Sequence, residues 1–326
     1  MRAISVTEYG GPETLRVRAI SVTEYGGPET LRVADVPEPV PGPGEVRIRI
    51  EAATVNPVDL AARAGHLAAL APDLPLGLGL DAAGEIDAVG PGVDRLAAGD
   101  KVIGLRDRLP VPTGAHAEAI VLDAAAAVHA PRTLDAAHAA TLPLNGLTAL
   151  QGLDLLDLRP GSTVLITGAA GAVGRFAVEL GALRGLRVVA SASASDEAAL
   201  REAGAALFVG RDEPLARAVR ALVPGGVDGV LDAAGLGIRA LDALRNEGGF
   251  VAVNGGAAVP VNLRGTHVRN VWFRADTAQL EYLVRLADTG HISTRVADVL
   301  PLEDAARAHV RLAEGGLRGR LVLRPA

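Results

Sequence analysis

Residues 163–185 read TVLITGAAGAVGRFAVELGALRG. A five-residue apolar run, Thr163 to Thr167, passes through a Gly/Ala turn, Gly168 to Gly174, straight into a helical pattern. Val173, Phe176, Ala177 and Leu180 share one face of that helix, suited to packing on a sheet. Gly171 lets the backbone approach a pyrophosphate closely, and Gly174 allows tight helix–strand contact. The helix start directs unpaired amides and its positive dipole end at the phosphates. Gly168, Ala170, Gly171, Ala172, Val173 and Gly174 are therefore the candidate phosphate contacts. An ordinary Gly-rich turn looks the same in isolation; strand, turn, helix and next strand in order give this one its weight.

Outward from that turn, strand and helix alternate strictly. TVLIT (163–167), RVVASA (187–192), ALFVG (206–210), GVLDAA (229–234) and FVAVNG (250–255) read as strands with helical segments between them. That spacing predicts parallel crossovers. The end of the second strand discriminates between cofactors. A fold that prefers NAD usually places an acid there to hold the ribose hydroxyls. Here the run is Ala190-Ser191-Ala192-Ser193-Ala194-Ser195, and Asp196 and Glu197 follow only after it. Ser191 and Ser193 tolerate a 2′-phosphate, and Arg211 past the third strand is either its charge-assisted partner or a solvated surface group. NADPH is favoured over NADH.

Before this region, residues 18 to about 130 read as short strands broken by Gly and Pro: EVRIRIEA (45–52), GEIDAVG (84–90), KVIGL (101–105) and HAEAIVL (116–122). Short, closely spaced strands predict a small antiparallel barrel. The pattern changes near Asp135, where a helical stretch DAAHAATLPLNGLTALQGLDLL begins. Beyond 275 come a helix (277–289), a strand region (295–300), a helix (303–314) and a last strand, RLVLR (320–324). These last elements are expected to return to the first domain. The α/β architecture then divides into 18–135 with 275–326, a β-barrel domain, and 136–274, a doubly wound parallel-sheet domain. Residues 2–17, RAISVTEYGGPETLRV, recur unchanged at 18–33. No later segment continues the period, so 1–17 is read as an appendage and the second copy as the native start.

Composition bounds the rest. The 326 residues suffice for two domains, and with 2% aromatics the core must be built from Ala, Val and Leu. A net charge of −6, with the single Lys at Lys101, leaves no basic footprint for nucleic acid. The absence of Cys excludes disulfides, thiolate nucleophiles and Cys-ligated zinc. Charges or Pro interrupt each apolar run before it can span a bilayer, and the start reads as strand and turn, not signal peptide. A cytoplasmic protein without membrane contact is expected.

The chain resembles the zinc-independent quinone oxidoreductase branch of the medium-chain dehydrogenase/reductase superfamily. The resemblance covers residues 18–326 through EYGGPETLRV, PGPGEVRIRI, AATVNPVDLAARAG, PLGLGLDAAGEIDAVGPGV, AAGDKVIG, TLPLNGLTAL, TGAAGAVG and GGLRGRLVL. It implies a GroES-like catalytic domain, a Rossmann domain and a cleft between them. It further implies nicotinamide contacts from Asn254, Gly255, Gly256 and Thr148, with Phe273 in Trp272-Phe273-Arg274 closing over the cofactor. Homodimers joined through Rossmann edge strands are implied by the same analogy.

In zinc-dependent relatives a Cys, a His with an adjacent Glu, and a second Cys surround the reacting carbonyl. Matching motifs place Asn56, Leu80-Asp81 and Asn145 there, so no metal is expected. Asn56 is the candidate amide donor that polarises the acceptor as hydride arrives. Asp59 either orients Asn56 or caps the following helix. Asn145 either faces the substrate with Asn56 or satisfies nearby backbone groups. Many relatives carry a Tyr two positions beyond the residue matching Asp59; here that position is Ala61. His66 reads as an exposed loop residue, and His116, His129, His138, His267, His291 and His309 show no ligand or triad spacing.

The expected activity is NADPH-dependent hydride transfer to a quinone or α,β-unsaturated carbonyl without metal. The alternatives are an enone reductase dedicated to one biosynthetic intermediate, and an NADPH-binding structural or sensor protein that has lost turnover.

Overall fold

The computed structural model describes residues 15–70, 74–108, 113–253 and 259–325. The chain divides into two compact units, one of Met1–Pro143, Ala275–Val284 and Thr294–Ala326, the other of Leu144–Arg274 and Arg285–Ser293.

The first unit begins with strands β1 (Arg16–Val22), β2 (Leu31–Pro37) and β3 (Glu45–Val55), then helix α1 (Pro57–Arg63). Strands β4 (Leu76–Gly77), β5 (Asp81–Val89), β6 (Lys101–Leu105), β7 (Ala119–Asp123) and β8 (Ala127–His129) follow, with helix α2 (Ala136–Ala139). β3 shows why these segments become strands. Val46, Ile48 and Ile50 point inward while their neighbours are more exposed, and from Ala52 onward both faces are covered.

Helix α3 (Pro143–Leu156) leads into the second unit: β9 (Thr163–Thr167), α4 (Ala172–Leu183), β10 (Arg187–Ala192), α5 (Glu197–Glu202) and β11 (Leu207–Gly210). There follow α6 (Leu215–Leu222), β12 (Val227–Asp232), α7 (Ile238–Leu241), β13 (Leu244–Ala252) and β14 (His267–Asn270). The chain ends with α8 (Thr277–Asp288), β15 (Val296–Pro301), α9 (Ala305–Glu314) and β16 (Arg320–Arg324).

The first unit holds a three-stranded sheet, β2-β1-β4, and a seven-stranded one, β15-β16-β3-β5-β6-β8, with β7 beside β3. Backbone bonds from Ile20 N to His116 O (2.8 Å) and Glu118 N to Arg18 O (2.9 Å) tie β1 to the segment before β7. β16 returns to pair antiparallel with β3, Leu321 opposite Val55. In the second unit all six strands run parallel in the order β11-β10-β9-β12-β13-β14. This is a doubly wound sheet whose order reverses at β9, where the Gly-rich turn lies. Leu165, Val189, Val209, Val230 and Phe250 build its core. No described helix is long and apolar enough to cross a membrane.

Two expectations need correction. The helical stretch from Asp135 is two helices, because Pro143 lacks an amide donor and turns Leu142 away from helical geometry. β13 starts six residues earlier than FVAVNG suggested: Leu244 pairs with Val227 and Gly249 with Gly229 of β12, across a register shift that leaves no strand pattern in the sequence. β14 itself carries too few apolar residues to be legible. The two last residues of the first repeat copy pair along a strand: Arg16 and Val17 extend β1, opposite Pro37 and Val36, and Val17 is buried. Residues 1–14 lie outside the described residues.

One polar pair interrupts the first unit's core. His116 and His309 are both buried, with ring centroids 6.3 Å apart. Burial, helped by His116 and Arg63, pushes the His309 imidazole down to about 3.

Two predictions follow from these contacts. Deleting residues 2–17 leaves Met1 before Arg18, in the place of Val17. Such an apolar exchange costs less than about 1.5 kcal/mol, so melting temperature should fall by no more than about 4 °C. A drop beyond 10 °C, on the order of several kcal/mol, would mean the first copy carries stability. The second concerns acid. His309 binds its proton near pH 6.5 when unfolded and near 3 when folded, so its contribution is complete above 6.5 and is lost towards 3. Between about pH 6.5 and 5, urea titrations of wild type should lose about 2 kcal/mol that His309→Gln does not lose.

Candidate functional site

In the second unit, Gly168 leaves β9 in the left-handed region (φ +58°), which a side chain would oppose. The turn is closed by Gly171 N donating to Gly168 O (2.9 Å) and fastened to β10 by Ala169 N donating to Ser191 O (3.1 Å). Gly171 is the N-cap of α4 and no side chain caps that end. The first-turn amides of Ala172, Val173 and Gly174 are thus left for an anion. Gly174 is buried, and a Cβ there would lie 2.1 Å from Gly168 O. Phe176, Ala177 and Leu180 are buried beneath the helix while Val173 stays half-buried.

A neighbouring latch escaped sequence reading. Thr167 Oγ1 donates to Asp232 Oδ1 (2.6 Å), whose carboxylate also accepts from Leu236 N (3.1 Å) and Gly237 N (2.7 Å). Ala234 N in turn donates to Thr167 Oγ1 (3.1 Å). A buried Asp ending an apolar strand, in VLDAAG, was the available sign. It holds the turn after β12 beside Gly168, whose Cβ would lie 3.3 Å from Ala233.

At the other edge of the turn, Ser191 is buried within β10 and Ser193 is half-buried just past its end. Arg211 N donates to Ala192 O (2.7 Å), which brings Arg211 alongside. Its side chain is 68% exposed and only 3.9 Å from Asp212 at best, so a loosely held cation stands beside two serine positions.

On α3, Thr148 is buried and its hydroxyl donates to Leu144 O (2.6 Å), so it can only accept from a ligand. Asn145 is buried in the first turn. Gln151, unremarked in the sequence, grips Arg274 from both sides, Nε2 to the carbonyl (2.9 Å) and Oε1 from the amide (3.1 Å). That fixes the segment bearing exposed Trp272 and half-buried Phe273. Asn254, Gly255 and Gly256 lie outside the described residues.

The first unit gathers Thr54, Asn56, Asp59 and Asp81, all buried, at one end of its larger sheet. Asn56 caps α1. Its backbone amide donates to Asp59 Oδ2 (2.8 Å), and Asp59 Oδ1 accepts from Gly79 N (2.9 Å). Asp59 thus completes a capping box with Asn56 at the start of α1, and it ties α1 to Gly79, between β4 and β5. The Asn56 side chain is held in place: its Nδ2 donates to Thr54 Oγ1 (2.9 Å) and to Asp81 Oδ2 (2.7 Å), two acceptors that are bonded to each other and so lie on one side of the amide. Thr54 Oγ1 also donates to Asp81. Arg320, half-buried and following the turn into β16, balances this charge. Burial lowers its pKa to about 10 while Asp81 and Asp59 oppose the fall, so it stays cationic at neutral pH. Ala61 lies on α1 and His66 is exposed.

Residues 42–132 match the family model of the alcohol dehydrogenase GroES-like domain, and residues 202–323 that of the zinc-binding dehydrogenases. A quinone oxidoreductase of Pseudomonas aeruginosa is 34% identical over 345 residues, covering 99% of each chain. A 2-methylene-furan-3-one reductase of Solanum lycopersicum is 32% identical over 81% of this chain and 64% of its own. The solved structure of the quinone oxidoreductase from Coxiella burnetii superposes with a TM-score of 0.85 at 29% identity, over 95% of this chain and 99% of that one. With its GroES-like domain and its Rossmann-like parallel sheet, the chain belongs to the quinone oxidoreductase branch of the medium-chain dehydrogenase/reductase superfamily.

Proposed function

We propose that the chain is an NADPH-dependent reductase that delivers hydride to a quinone or an α,β-unsaturated carbonyl without a metal ion. The observation that carries this is the turn at Gly168–Gly174, whose backbone leaves room for a pyrophosphate and whose helix start offers uncapped amides. Bound there, the nicotinamide supplies a hydride. The protein's part is to hold and orient. The α4 amides carry the pyrophosphate charge, Thr167 and Asp232 fix the adjacent turn, and Gln151 holds the Trp272–Arg274 segment. Arg211 pairs with the 2′-phosphate, with Ser193 beside it and no carboxylate in the place an NAD ribose would use.

Zinc does not fit the residues at the matched positions. Asn56 and Asn145 offer neutral amides, and Asp81 is already engaged by Thr54 and Asn56. Conjugated acceptors suit such a site, because the charge arriving with hydride spreads over an enolate or hydroquinone anion. The balancing proton comes from water, since Ala61 carries no acid. The relatives named above as a quinone oxidoreductase and a furanone reductase support the same pair of acceptor classes. A homodimer through β14 accords with its place at the sheet edge and with exposed Val261 and Trp272 nearby.

NADPH and NADH oxidation, followed against quinones and enones, test the proposal directly. Faster turnover with NADPH, unchanged by EDTA, is expected; EDTA inactivation would remove the metal-free mechanism. Arg211→Ala should raise the KM for NADPH roughly tenfold and leave that for NADH unchanged, the loss of one charge-assisted contact. Gly174→Ala, checked by circular dichroism for folding, should weaken cofactor binding about a hundredfold as the turn gives way. Retained binding would show that the phosphates lie elsewhere.

A further inference from the structure

His116 and His309 have no part in the proposed reaction, yet their bonding is fully determined. His116 Nε2 lies 2.9 Å from the carbonyl oxygen of Thr54. A carbonyl only accepts, so Nε2 carries the hydrogen, and in the neutral ring Nδ1 then carries the lone pair. His309 Nδ1 lies 3.2 Å from Arg63 Nη1. A guanidinium only donates, so Nδ1 carries the lone pair and the hydrogen of the neutral ring is on Nε2. The two remaining atoms, His116 Nδ1 and His309 Nε2, are both buried and have no hydrogen-bond partner among the described residues.

These orphans are complementary, one acceptor and one donor, on rings set edge to face 6.3 Å apart. Both rings are buried in the first unit, so each atom left unpaired there keeps an uncompensated desolvation cost. No direct bond joins the two atoms, and a buried donor and acceptor on neighbouring rings are groups that an internal water can satisfy together.

We propose that one buried water joins His309 Nε2 to His116 Nδ1 and completes a relay that positions the Thr54–Asn56–Asp81 cluster. Every link points the same way. Arg63 donates to His309, His309 to the water, the water to His116, and His116 to the Thr54 carbonyl. Bonds aligned in one direction polarise one another, which stiffens the chain as a whole. Its far end is anchored as well, since Arg63 Nε donates to Gly26 O (3.1 Å). At its near end Thr54 donates through its hydroxyl to Asp81 and accepts from Asn56. His116 and His309 are thus positioning residues. Their effect on turnover rests on the function proposed above; their tautomers and the water do not.

The first test is on the wild-type protein labelled with 15N-histidine, with resonances assigned by loss in His116→Gln and His309→Gln. At pH 7 both rings should be neutral and protonated on Nε2, and the His309 Nε2 hydrogen should show a magnetisation transfer to a long-lived water. A His116 ring protonated on Nδ1, a charged His309, or no such water would overturn the relay. The second test compares two folded variants of matched melting temperature. His116→Phe removes the donor to Thr54 and should lower kcat about tenfold with the NADPH Kd unchanged. His116→Gln keeps a donor for Thr54 and an acceptor for the water, and should recover most of that loss. Equal impairment of both variants, or full activity in His116→Phe, would overturn the positioning role. A wild-type protein that turns over no quinone or enone would count against the proposed function, and leaves the NMR result to decide the relay.

Discussion

The approach of α4 to the carbonyl of Gly168 is the constraint on which the second unit depends. With no side chain on Gly174, the helix can start within contact distance of the turn, where a Cβ would have 2.1 Å to the oxygen. That single contact fixes the direction in which the first-turn amides point. The strand order reverses at the same place, so the sheet opens a crevice where the amides converge. The Thr167–Asp232 latch then keeps the neighbouring turn from collapsing into it.

The first unit obeys a different logic. Its site end is built from polar groups that satisfy one another: Asp59 closes the helix cap, Asp81 collects Thr54 and Asn56, and Arg320 offsets their charge. Such a network is costly to leave half-made and rigid when complete.

Much of this was legible in the sequence, and the failures have physical causes. The Gly-rich turn announced itself because its strand, turn and helix obey local rules. So did the serine-rich end of β10. The break before Pro143 was also local but was overridden by the apolar periodicity on either side. The identity of Asn56 is visible in sequence while its partners are not. Only the tertiary fold brings Asp81, twenty-five positions away, to its amide. The same holds for Gln151 and Arg274, and for the two imidazoles, whose spacing carries no periodicity at all.

The repeated N-terminus has a further consequence. Residues 2–6 are identical to residues 18–22, the part of β1 that pairs with β2. During folding, two interchangeable segments compete for one position in the same sheet. The distant copy must close a loop roughly three times as long, a handicap of about 1 kcal/mol. The chain thus carries its own competitor, disfavoured by polymer entropy, while the side chains that would meet β2 are the same in either case.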